Sequence, residues 1–168
     1  MKLIKILLAL IALQLLISCS KGEYPPIQVM HTYFGTIDKG EDGKYHLNNT
    51  DVIPYKPGQK YGWRILYRGN QDPVNYEEVV VLSDKGEWGV GKDKSGKQIE
   101  YKEILDGKGI VVKRSSPNDS VLFGMWTMAK GDPKGKAKIM IFVNKKKVHE
   151  FDFEIKPVDE PANAQDKK

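Results

Sequence analysis

The sequence predicts an all-β domain: two antiparallel sheets packed face to face as a sandwich, with a small closed barrel as the alternative closure. Three observations predict it. Short runs rich in β-branched and aromatic residues recur along most of the chain, with Gly, Pro, Asp and Asn between them. The last of these runs alternates strictly between apolar and acidic residues. No segment carries the long 3.6-residue periodicity of an amphipathic helix.

Taken in order, residues 27–36 (IQVMHTYFGT) form the first strand, and residues 37–49 (IDKGEDGKYHLNN) are turn chemistry around a short run at Tyr45–Leu47. Residues 60–68 (KYGWRILYR) place Tyr61, Trp63, Ile65 and Tyr67 on one face, with Arg64, Leu66 and Arg68 on the other. Residues 77–82 (EEVVVL) and 109–113 (GIVVK) are short β-branched runs. Residues 97–105 (KQIEYKEIL) fit an edge strand or two helical turns equally well. Residues 121–128 (VLFGMWTM) lead into the turn Gly131-Asp132-Pro133-Lys134-Gly135. Residues 137–143 (AKIMIFV) and 148–155 (VHEFDFEI) flank Asn144-Lys145-Lys146-Lys147 as a hairpin. Phe151, Phe153 and Ile155 take its buried face, and Glu150, Asp152 and Glu154 its wet one.

About seven or eight short strands in roughly 130 residues most often form an immunoglobulin-like sandwich. The order Ile53-Pro54, Pro57-Gly58, Tyr61-Gly62-Trp63, then Gly124-Met125-Trp126-Thr127 before a turn and a final Phe-x-Phe-x-Ile strand, resembles small immunoglobulin-like envelope β-sandwich domains of unassigned function. That resemblance covers about half of the chain after residue 18 and implies a fold, not a mechanism.

The N-terminus has a different character. Lys2 and Lys5 precede an apolar run from Ile6 that continues, past Gln14, to Ile17, and no acid occurs before Glu23. The run is shorter than the ~20 apolar residues of a membrane-spanning helix. It ends at Leu16-Ile17-Ser18-Cys19, which resembles the lipobox of bacterial lipoproteins. The resemblance implies a diacylglycerol on the thiol of Cys19, cleavage after Ser18 and acylation of the freed amine. Two or three acyl chains anchor stably, because each buried methylene contributes about 0.8 kcal/mol. Cys19 is the only cysteine, so the domain that follows has no disulfide and rests on its core alone. Ser20, where aspartate favours the inner membrane in enterobacterial lipoproteins, implies the outer membrane, facing the periplasm. The expected organisation is a signal peptide (1–18), a tether (19–26), a sandwich (27–156) and a disordered tail (157–168).

Removing residues 1–18, which hold two lysines and no acid, lowers the net charge from +5 to +3. That modest basicity, outside the cytoplasm, argues against nucleic-acid binding and reads as a solvated surface. Catalytic signatures are missing from residues 27–156: no G-x-S-x-G elbow, no S-x-x-K and no phosphate-cradling loop. His31, His46 and His149 lie in no metal-ligand spacing, and no cysteine ligand is available to them. Asp38-x-Gly40-x-Asp42-Gly43 touches the calcium-loop pattern, but glycine holds the third position and Asn49 the twelfth, so a turn is expected.

Two surface candidates remain. Trp88, in Gly86-Glu87-Trp88-Gly89-Val90-Gly91, is either a binding anchor or a plug folded onto one end of the sandwich, the second being preferred. Lys145, Lys146 and Lys147 at the last hairpin tip suit lipid headgroups or an acidic partner, or else form a solubilising turn. The expected function is a non-catalytic binding or structural module without cofactor or metal. It is held to the membrane through Cys19 and meets an envelope protein or glycan. The alternatives are an envelope hydrolase with an unrecognised site, or an inhibitor or immunity protein of an envelope enzyme.

Overall fold

The computed structural model describes residues 27–69, 73–89, 91, 96, 98–116 and 120–158. Ten strands are present among them: β1 (Gln28–Lys39), β2 (Tyr45–Asn49), β3 (Val52–Tyr55), β4 (Lys60–Arg68), β5 (Val74–Val81), β6 (Tyr101–Ile104), β7 (Gly109–Ser116), β8 (Val121–Thr127), β9 (Gly135–Val143) and β10 (Lys146–Pro157). They form a four-stranded sheet, β2-β1-β4-β8, and a six-stranded sheet, β3-β10-β9-β5-β7-β6. The domain is an all-β, immunoglobulin-like sandwich, as the alternation of the strands implied.

The core follows from period-two alternation. On β4, Tyr61, Trp63, Ile65 and Tyr67 are buried, and on β5 Val74, Tyr76, Glu78 and Val80 are buried. On β9 and β10, Ile139, Ile141, Phe151, Phe153 and Ile155 meet them. Phe34 stacks between Phe151 and Phe153, with ring centroids 5.6 and 4.7 Å away. These aromatic contacts carry the centre of a fold that has no cysteine among its strands.

Several boundaries differ from expectation. β1 runs to Lys39, because its pairing with β2 and β4 continues past Thr36. Of the stretch that fitted strand or helix, Tyr101–Ile104 form the edge strand β6, followed by a 3₁₀ turn at Leu105–Gly107. β3 was not anticipated, since Pro54 interrupts its run. It lies at the edge of the larger sheet, where a missing N–H is tolerated, and pairs parallel to the end of β10. That pairing carries β10 through Pro157, opposite Tyr55, one residue into the expected tail.

The last hairpin is tighter than expected. Lys146 pairs with Val143, so only Asn144 and Lys145 turn the chain, both at positive φ (49° and 64°). This is the type I′ geometry that matches strand twist. On its wet face Lys138 contacts Glu150 at 2.6 Å and Asp152 at 3.5 Å, the cross-strand support its charge pattern implied.

Candidate functional site

Glu78 continues the inward positions of β5, so the alternation that buries Val74, Tyr76 and Val80 also buries a carboxylate, at 0 % exposure. An uncompensated buried charge is costly, and the neighbouring strands compensate it. Trp63 of β4 and Trp126 of β8 donate their indole N–H groups to Oε1 at 2.6 and 2.7 Å. Arg114 of β7 donates its Nε–H to Oε2 at 2.7 Å. Glu78 and Arg114 belong to the six-stranded sheet and the two tryptophans to the four-stranded one, so the carboxylate pins the layers together. Room for the indole comes from Gly124: a Cβ there would lie 2.5 Å from Trp63 Nε1 and 2.7 Å from Glu78 Oε1. Both carboxylate oxygens are engaged, which makes the group a structural clamp.

Beside this clamp opens a groove of about 340 Å³, bordered by Glu87, Trp88, Gly89, Gly91 and Ile99 and by the β8 edge. Arg114 lines it with a side chain 19 % exposed, its guanidinium carbon 5.7 Å from the Trp126 ring centroid. Trp88 packs edge-on against Trp126 at 6.4 Å and donates its indole N–H to the Gly107 carbonyl at 2.6 Å. Ile99, Thr127 and the exposed Phe123 and Met125 of β8 also line the groove. At the other end stand Glu87 and Asp132. Asp132 accepts from the Ala129 N–H at 2.7 Å and the Glu87 N–H at 3.3 Å, which shapes the turn after β8. Burial pushes its carboxyl upward against those two bonds. Burial, with Asp132 and Glu78 nearby, likewise raises the Tyr61 hydroxyl well above its ordinary value. Among the described residues the groove combines aromatic walls, one cation and two acids, a lining that can grip a flat or apolar group and orient it by charge.

The residues singled out from sequence fall in separate places. Trp88 is half-buried against the end of the sandwich and also forms a wall of the groove, so plug and contact surface coexist in one side chain. The three hairpin lysines stand at and just after the two-residue turn. Lys145 turns the chain, Lys146 begins β10, and Lys147 contacts Glu150 at 2.6 Å. Cys19, with the signal segment and the tether, lies outside the described residues, as does the tail beyond Val158. Of the Asp38–Gly43 segment, Asp38 and Lys39 end β1 and Gly40–Gly43 close as a turn, in which Asp42 accepts from the Lys44 N–H at 3.0 Å and lies 3.2 Å from His46 Nε2. His149 packs its ring edge-on against Phe151 at 4.4 Å. Among the described residues no group of three His, Cys, Asp or Glu is placed to hold a metal ion.

Sequence reasoning missed Glu78, Arg114 and Trp126 as a unit. The signal available was parity: Glu78 is in step with Val80 and Leu82, an acid on the apolar side of a strand. Its three partners lie 15, 48 and 36 residues away in the chain, and no local pattern joins them.

The comparisons with known proteins agree with this architecture. A solved immunoglobulin-like protein, PA1606 from Pseudomonas aeruginosa, superposes with a TM-score of 0.53 at 16 % identity, over 77 % of this chain and 96 % of that one. At that identity the likeness is one of fold. No curated protein matches the chain. The model of the PM0630 beta sandwich domain matches residues 32–156, a span running from β1 nearly to the end of β10. The chain belongs to the PM0630 beta sandwich domain family.

Proposed function

We propose that this protein is a lipoprotein of the bacterial envelope, acylated at Cys19, whose sandwich is a non-catalytic binding module. The observation that carries the binding role is the groove: Trp88, Trp126 and Arg114 line an open cleft, while the buried acid behind it is fully engaged by its own neighbours. Aromatic and arginine side chains gathered in a pocket are the usual anchors of recognition. The Leu16-Ile17-Ser18-Cys19 segment supports the anchor, and the outer membrane facing the periplasm is the location its Ser20 suggests. The partner is an envelope protein or glycan; nucleic acid is not expected.

A photo-crosslinking residue at Thr127, on the exposed rim of the groove, tests the binding role in intact cells. The expected result is a discrete crosslinked partner that is lost when Trp88→Ala is added. If nothing is captured while the purified protein turns over a substrate, the reading fails. Cys19→Ser tests the anchor separately: acyl labelling should vanish and an uncleaved precursor should accumulate.

A second reading, an envelope hydrolase, draws on Asp132, whose carboxyl is raised by burial beside Glu87 at the groove mouth. Its two oxygens already serve backbone N–H groups, which favours the binding module. An inhibitor or immunity protein would be a special case of that module, with the enzyme as the captured partner.

A further inference from the structure

The outer face of the four-stranded sheet has a composition of its own. Strand register sets its rows: Tyr33, Arg64 and Phe123 stand side by side, then Gly35, Gly62 and Met125, then Ile37, Lys60 and Thr127. Arg68 on β4 and Lys39 beside Tyr45 extend it at either end. Phe123 is 60 % exposed and Met125 38 % exposed, although both are large apolar side chains. Arg64 lies 4.7 Å over the Tyr33 ring and Lys60 6.0 Å over the Tyr45 ring. The register puts four cations, Lys39, Lys60, Arg64 and Arg68, at outward positions of this sheet and no Asp or Glu. Among the described residues none of the four has a carboxylate within ion-pair distance.

We infer that this face docks the domain on an anionic phospholipid surface, with Phe123 and Met125 at the headgroup boundary and the four cations over lipid phosphates. The inference rests on the lipid-anchored reading for its membrane, and deepens it by saying which face turns to the bilayer. Charge complementarity supplies the attraction: each Lys or Arg near an anionic membrane strengthens binding by about fivefold. The chain geometry permits it. Residues 19–26 would reach at most ~30 Å at the extended-chain rise. They lead into Ile27, directly before the strand that lies second in this sheet. Phe123 aligns with Arg64 and Tyr33, five residues along β1 from Gln28, or ~17 Å at the strand rise. Phe and Met without a polar handle suit acyl boundaries better than sugar rings, which favours lipid over an anionic glycan. Phe123 and Met125 also line the groove, so docking would bring the groove up against the membrane surface.

The test couples residues 19–168, which contain the whole sandwich, through the lone Cys19 thiol to a maleimide lipid. The vesicles are phosphatidylcholine with or without phosphatidylglycerol. Hydroxyl-radical footprinting then reads Phe123 and Met125 against Tyr101, an exposed residue of the other sheet. The expected result is severalfold protection of Phe123 and Met125 on the anionic vesicles only, with Tyr101 unchanged. Protection should disappear in Arg64→Glu/Arg68→Glu, and persist in Lys145→Glu, which alters the hairpin turn alone. Equal modification on both vesicles overturns the inference, as does protection centred on residues 145–149. Protection that follows protein density instead of lipid charge assigns the face to a second copy and also overturns it. Protection by a soluble anionic polysaccharide, with none on vesicles, replaces lipid by glycan. Because the coupling is chemical, these outcomes are independent of whether Cys19 is acylated in cells, which the labelling of Cys19→Ser decides.

Discussion

Glu78 and Trp126 lie 48 residues apart in the chain, yet the Trp126 indole donates to the Glu78 carboxylate at 2.7 Å inside the core. The bond joins the two sheets, and it shares its acceptor oxygen with Trp63. Such a network stabilises only while every member is present, because the same low-dielectric interior that strengthens each bond penalises each orphan.

Removing the carboxylate should therefore be severe. Glu78→Ala leaves Arg114 and two indole N–H groups without their acceptor, and should cost about 3–5 kcal/mol. Glu78→Gln keeps the shape and one accepting oxygen but turns an NH₂ toward Arg114, and should cost about 1–3 kcal/mol. Urea denaturation measures both. In a double-mutant cycle, Glu78→Leu with Arg114→Met should lose less than the sum of the single changes. Additivity would show that the pair is not coupled.

Gly124 should tolerate no side chain. Its missing Cβ is the space into which the Trp63 indole and Glu78 carboxylate fit. Gly124→Ala should cost about 1–3 kcal/mol through forced displacement of packed groups. Gly89→Ala, with nothing within 4 Å, is the control and should leave the urea midpoint unchanged.

Acid should weaken the last hairpin in two stages. Burial depresses His149 below its ordinary value of 6.5, so the folded state favours the neutral ring. Its contribution is full above that value and declines as pH falls through the depressed one. Hydrogen bonds from Lys138 and Lys147 hold Glu150 down at about 2, against an ordinary 4.5. The stability from that carboxylate is present above 4.5 and is lost as pH falls toward 2. Glu150→Gln should flatten the pH dependence of the urea midpoint across that lower window. An unchanged slope would contradict the Lys138–Glu150–Lys147 arrangement.

The turn at Asn144-Lys145 should be improvable. Lys145 sits at φ 64°, where a side chain costs roughly 1–2 kcal/mol and glycine nothing. Lys145→Gly should raise the thermal midpoint. A fall would mean that the lysine side chain makes a contact worth more than the backbone strain.

Most of the secondary structure is legible in the sequence, because alternation is a property of adjacent residues. The faces of β4 and β10 were legible as Tyr61-Trp63-Ile65-Tyr67 and Phe151-Phe153-Ile155, and one-sided burial of so many short strands implied two sheets packed face to face. The N-terminal lipobox is equally local, and the expectation of an anchor at Cys19 comes from it alone. Pro54 hid β3, because an edge position that excuses a proline exists only once the neighbouring strand is in place. Tertiary structure alone decided the Glu78 clamp, the groove walled by Trp88 and Trp126, and the basic face around Arg64 and Phe123. Each depends on which strands become neighbours, and strand pairing is settled by the joint burial of both sheets, to which no short stretch of chain contributes enough to be read in isolation.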